Sequence, residues 1–148
     1  MNIVFHALLG LLLVELIGID SMSGILVGVL LSVVPDFDHI PHLKKAFRTR
    51  RFGVESRSSF HELVGLFLVS LGALAVGIVD PNLSLLGFCC GLSHFAVDFL
   101  TRPSRPLYPF SARKVDLNIY PRDLKRMFVL DAILTAALGL VYVIIRTV

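Results

Sequence analysis

Apolar residues along the chain gather into five blocks, and the polar residues between them fall into two short turns and two long basic loops. The first block runs from Ile3 to Ile19 and is interrupted by His6 and Glu15. Gly18-Ile19-Asp20-Ser21 reads as a tight turn, and Met22 to Val34 is the second block. The third covers His61 to Val79, the turn signal Asp80-Pro81-Asn82 follows, and the fourth covers Leu83 to Leu100 with His94 and Asp98 inside it. The fifth, Phe128 to Ile145, carries Asp131 near its start. Blocks this long and this apolar predict an all-α, polytopic membrane bundle of four to five transmembrane helices, in one domain over residues 1–148. The second block is short: at about 1.5 Å per residue it covers roughly 20 Å, against a hydrocarbon core of about 30 Å.

Composition supports this reading. Of 148 residues, 55% are apolar, above the 45–50% usual for a soluble domain. The N-terminus has no basic n-region and no small-residue cleavage site, and a second apolar block follows at once, so the first block reads as a retained anchor. Cys89 and Cys90 are adjacent within an apolar block, which suits packing better than a disulfide framework. The net charge of +3 matters less than its placement. Thirteen of the fourteen Lys and Arg residues lie in two loops, at 44–57 and 101–126, and the remaining one is Arg146. Lys and Arg favour the cytoplasmic side, so both loops and the N-terminus are expected inside and the C-terminus outside. If the fifth block lay flat on the surface, the C-terminus would stay inside.

The chemistry concentrates in Pro35-Asp36-Phe37-Asp38-His39-Ile40-Pro41-His42, directly after the second apolar block. Ionisable groups at the edge of hydrocarbon are costly and point to function. Carboxylate and imidazole are also ligands for Zn, Mn or Fe. On the charge-derived topology, all five histidines, His6, His39, His42, His61 and His94, fall at one membrane level. Scattered packing histidines have no reason to choose one leaflet. His94 and Asp98 are four apart and share a helix face, forming a two-ligand clip of the kind helix bundles use for metals. Asp36 and His39, three apart, do the same if Pro35 opens a helical turn. His6, Asp36, His39, His61, His94 and Asp98 are the expected ligands, enough for one or two divalent ions. The plain alternative is that these residues end the helices and hydrogen-bond within the core. His61-Glu62 lacks the second histidine of a zincin helix, because Gly65 stands there. Glu15 lies about nine residues, or roughly 13 Å, from His6 and falls outside the site.

In this order His6, the Pro35–His39 block, Arg57 with His61, His94 with Asp98, and Leu107-Tyr108-Pro109-Phe110-Ser111 make the chain resemble a family of small prokaryotic inner-membrane proteins over roughly residues 1–115. These are described as membrane-bound metal-dependent hydrolases, some of them LexA-binding or LexA-regulated. The chain departs from that family at Ser56-Arg57-Ser58-Ser59-Phe60-His61, where one histidine is missing, and at Arg102-Pro103-Ser104, where a glycine is usual. The resemblance implies hydrolysis. The expected substrate is a phosphoester of a membrane lipid or lipid-linked molecule at the cytoplasmic interface, because the site lies at headgroup depth. Asp38 is the expected base or supporting carboxylate, and Arg57 the group that neutralises phosphate. The competing reading is a non-catalytic membrane protein that uses the ion structurally or transports it, with basic loops docking a protein or anionic lipid. Nucleic acid is a poor partner: the loops have few aromatic residues and no recognisable motif.

Overall fold

The computed structural model describes residues 1–40, 60 and 62–147, apart from the side chains of Asp38 and His39. Among them are five α-helices and no named strand. They are α1 (Ile3–Ile17), α2 (Met22–Val33), α3 (Leu63–Gly77), α4 (Pro81–Thr101) and α5 (Leu124–Thr147), with a 3-10 helix, Val34–His39, continuing from α2. α4 and α5 are long and apolar enough to cross a membrane; α1, α2 and α3 are apolar but shorter.

The turns end the helices where local chemistry requires it. Gly18 closes α1 in the left-handed conformation (φ 75°), and its N–H bonds the Glu15 and Val14 carbonyls. Ser21 then opens α2 by accepting from Gly24 N at 3.1 Å. Asp80 opens α4 in the same way, accepting from Asn82 N at 2.8 Å, with Pro81 in the first turn. α5 starts earlier than its apolar block because Asp123 accepts from Arg126 N at 3.0 Å and carries the helix back through Lys125 and Arg126.

The helices alternate in direction. α1 and α2 form an antiparallel hairpin in which Gly10 faces Gly28. α3 and α4 form a second, with Val69 against Gly91 and Ala73 against Gly87. α2 runs parallel to α4, since Leu31 lies at Gly87 and the Ser32 carbonyl at His94. α5 runs parallel to α1: Asn2 Nδ2 donates to Thr135 Oγ1 at 2.9 Å, and Arg146 reaches Glu15 at 3.1 Å. Glu15 is therefore paired at the far end of the bundle from His6, as its spacing predicted.

Polarity is inverted relative to a water-soluble bundle. His6, Ser32, Asp36, Glu62, His94, Asp98, Ser104 and Asp131 are buried, while Leu16, Phe67, Leu74, Ile78 and Phe128 are exposed. A helix apolar on all sides belongs in a core or in a membrane. The buried apolar cluster is small, with Val14, Leu86 and Cys90 at its centre.

Close approach of α1 and α2 depends on Gly10. A Cβ there would meet Gly28 O at 2.4 Å and Ser32 Oγ at 2.5 Å. Gly10→Val is therefore expected to destabilise the fold by about 1–3 kcal/mol, as overpacking does. It should also displace Ser32, whose carbonyl orients His94. A thermal melt checks the first effect; an unchanged melting temperature would contradict the packing described here.

Candidate metal centre

Three helices bring ligands to one end of the bundle. His6 lies in the second turn of α1, Asp36 in the 3-10 helix after α2, and His94 and Asp98 in the last turns of α4. One ligand atom from each of these four residues lies within 4.8 Å of the other three. Both imidazoles are fully buried, and Asp36 and Asp98 are 9% and 3% exposed. Burying two carboxylates this deeply costs several kcal/mol each unless cations or hydrogen bonds satisfy them.

The local geometry fixes how the rings present themselves. His94 Nδ1 lies 2.6 Å from the Ser32 carbonyl oxygen. A carbonyl only accepts, so Nδ1 carries a proton; in the neutral ring this leaves the Nε2 lone pair free, the ligand arrangement common in metal proteins. Nε2 is 3.9 Å from Asp36 Oδ1. The His6 and His94 rings stack, with centroids 3.9 Å apart and 30° between planes. His6 Nε2 is 3.3 Å from Asp98 Oδ1, and His6 Nδ1 is buried with no hydrogen-bond partner among the described residues. The Met1 ammonium also reaches Asp98 Oδ1, at 2.7 Å. Asp98 thus already attracts one cation. Two imidazole nitrogens and two carboxylates suit Zn, Mn or Fe by donor type.

Of the predicted site residues, His6, Asp36, His94 and Asp98 come together. The Asp38 and His39 side chains, and all of His42, Arg57 and His61, lie outside the described residues. The anticipated His94–Asp98 clip is present, with both members in the cluster.

Several groups near the centre escape sequence reasoning. Glu62, 4% exposed, accepts from Arg105 N at 2.8 Å and fixes the turn after α4. Ser104 pairs with Val115 through two backbone bonds of 2.9 Å. Glu62, Asp98 and Ser104 line a cavity of about 240 Å³ between α3 and α4, walled by Leu66, Phe95 and Phe99. Asp131 is buried, accepts from the Tyr120 hydroxyl and lies 3.6 Å from Arg102 Nη2. Burial first, then that hydrogen bond, pushes the Tyr120 phenol well above its ordinary range. The acidic residue next to His61, and an Arg-Pro-Ser-Arg run where a glycine turn is usual, are the only sequence signals for these contacts.

Fold and site together define an all-helical membrane protein with a buried two-histidine, two-aspartate cluster at one end of the bundle. The chain belongs to the YdjM inner membrane protein family, which it matches over residues 1–148. That membership places it among prokaryotic inner-membrane proteins and carries no reaction with it. No curated protein and no solved structure matches the chain.

If the cluster holds an ion, His6→Ala, Asp36→Asn, His94→Ala and Asp98→Asn should each weaken metal affinity by more than the roughly 10–100-fold that losing a supporting hydrogen bond costs. Glu15→Gln should leave it unchanged. In chelated protein Asp36→Asn should be neutral or mildly stabilising, because it relieves carboxylate repulsion. In loaded protein it should destabilise, because bound ion stabilises the fold by mass action. Elemental analysis beside thermal melts reads both. Full metal content in all four variants would remove the site.

Proposed function

We propose that the protein is a membrane-bound, metal-dependent hydrolase that cleaves a phosphoester of a lipid or lipid-linked substrate at the cytoplasmic interface. The observation that carries this reading is a buried His6–Asp36–His94–Asp98 cluster whose Asp98 also lines a cavity. A structural ion needs no adjoining space; a catalytic one needs room for a reactant. When bound, a divalent ion supplies Lewis-acid chemistry toward water and a phosphoryl oxygen.

The chain's own residues do the rest. Asp36 and Asp98 supply the negative charge that retains the ion. The Ser32 carbonyl holds the His94 ring in one tautomer and one orientation. Phe95 and Phe99 give the cavity beside Asp98 an apolar wall. His39 and His61 complete the ligand set, Asp38 takes a proton from the attacking water, and Arg57 neutralises phosphate charge; these four roles rest on the sequence.

The same proposal sets all five helices across the bilayer, with the cluster end inside. Alternating helix directions support it, as does the sequence placement of thirteen basic residues in the segments 44–57 and 101–126, the second of which includes the first turn of α5. Local thinning of the bilayer accommodates the shorter helices. The complete burial of both imidazoles favours a second reading, a closed structural ion that ties α1, α2 and α4 together.

Purified protein loaded with Mn or Zn is expected to release phosphate or a phosphorylated headgroup from a panel of lipid phosphoesters, and Asp38→Asn should lower kcat by about 10²–10⁴. Metal bound at full occupancy with no turnover on any phosphoester would leave the structural reading. Cysteine labelling of the 101–126 loop from the outside, in a variant lacking Cys89 and Cys90, would overturn the assigned orientation.

A further inference from the structure

The turn Arg102-Pro103-Ser104-Arg105-Pro106 holds three buried side-chain atoms with no hydrogen-bond partner among the described residues: Arg102 Nε, Ser104 Oγ and Arg105 Nε. All three can donate, and two are obligate donors. A buried, unmatched donor is costly, and native structures contain few. Three lie within four residues, and one of them, on Ser104, belongs to a residue that lines the cavity next to the turn.

The turn is built and held. The Glu62 carboxylate accepts from Arg105 N, Leu63 N reaches Pro106 O at 3.4 Å, and Ser104 is bridged to Val115. The Arg105 guanidinium lies 4.3 Å above the Tyr108 ring, and Tyr108 N bonds Arg105 O at 2.8 Å. Ser104 is 3% exposed and lines the cavity. Three carboxylates are nearby: Glu62 is engaged by the turn, Asp131 faces Arg102, and Asp98 faces His6 and the Met1 ammonium.

The cavity has a polar end and an apolar end. Glu62, Ser104 and Asp98 lie at the cluster end, while Leu66, Leu92 and Phe95 lie about one to two helical turns deeper. At about 240 Å³ it falls below the 300–1,000 Å³ of pockets that take drug-sized ligands, so it suits one chain and not two.

We infer that this cavity binds a single acyl chain bearing a phosphate monoester, with the chain between α3 and α4 and the phosphate accepting from Arg102, Ser104 and Arg105 beside Asp98. The inference rests on the proposed phosphoester chemistry and names the substrate class for it. The substrate then enters sideways from the bilayer. Arginine forks suit phosphate oxygens, and the serine hydroxyl adds a third donor.

The chain contains no Trp, so Phe99→Trp in the full-length protein places a sole, selectively excited tryptophan on the cavity wall. In nanodiscs of unbrominated lipid, quenching is titrated with brominated lysophosphatidate, with brominated monoacylglycerol, and with glycerol phosphate as competitor. Lysophosphatidate should bind at least tenfold tighter than monoacylglycerol, and glycerol phosphate should not compete at matched concentration. Arg105→Gln should weaken lysophosphatidate binding about tenfold and Ser104→Ala severalfold, with Ser104→Thr restoring most of the loss. Both penalties should persist with chelator present, because the donors belong to the turn. Thermal melts confirm that each variant folds, and Arg102→Lys provides a milder second probe of the same seat. Equal affinity for the uncharged monoacylglycerol, or unchanged lysophosphatidate binding in folded Ser104→Ala and Arg105→Gln, overturns the inference. Turnover without these penalties would remove the seat and keep the hydrolase; the penalties without turnover would keep the seat and remove the hydrolase.

Discussion

The structure depends on holding two carboxylates and two imidazoles inside a bundle whose outer surface is apolar. Groups of this kind are expensive in a low-dielectric interior, and their cost falls only when they satisfy one another or a bound cation. The fold is arranged around that requirement. Gly10 and Gly28 let α1 and α2 approach, which brings His6 toward the residues after α2. Ser32 gives its carbonyl to His94, so the hairpin and α4 are tied at the same level. α5 adds little buried area but supplies Asp131, which faces Arg102 at the end of α4. The polar connections between helices concentrate at the cluster end, with the Glu15–Arg146 pair as the clamp at the other.

This arrangement explains why a small apolar core is enough. Between helices in lipid, apolar contact is worth little over contact with acyl chains, so close packing and polar links set specificity. Val14, Leu86 and Cys90 form the packed centre, and α3 and α5 carry large exposed apolar faces. On the proposed reading, stability and function draw on the same residues: the links between α1, α2 and α4 are also the groups that would retain an ion.

Much of the fold was legible in the sequence. Long apolar blocks gave the helix order, and Gly18 and Asp80-Pro81 gave the turns, because their backbone chemistry is local. The meeting of His6, Asp36, His94 and Asp98 was also legible, since Lys and Arg placement assigns one end of each helix to one side. Helix limits were less so: α1 and α3 are shorter than their apolar blocks and α5 is longer, because caps such as Gly18 and Asp123 set the ends and hydropathy does not. The contacts of Glu62, Ser104, Tyr120 and Asp131 were not legible. They join residues 11 to 43 positions apart through an irregular loop, whose path no periodicity encodes. The hydrolase chemistry itself was carried by resemblance, and the roles of Asp38, His39, Arg57 and His61 still stand on sequence alone.

The cluster's worth as a metal centre turns on whether a divalent ion is held there by mixed imidazole and carboxylate donors. X-ray absorption at the metal edge of the loaded, detergent-purified protein tests it most directly. The expected spectrum has a first shell of nitrogen and oxygen only, with the outer-shell scattering of at least two imidazoles, and loses one imidazole in His94→Ala. A shell containing sulfur from Cys89 or Cys90, a shell without imidazole, or a spectrum unchanged by His94→Ala would contradict it.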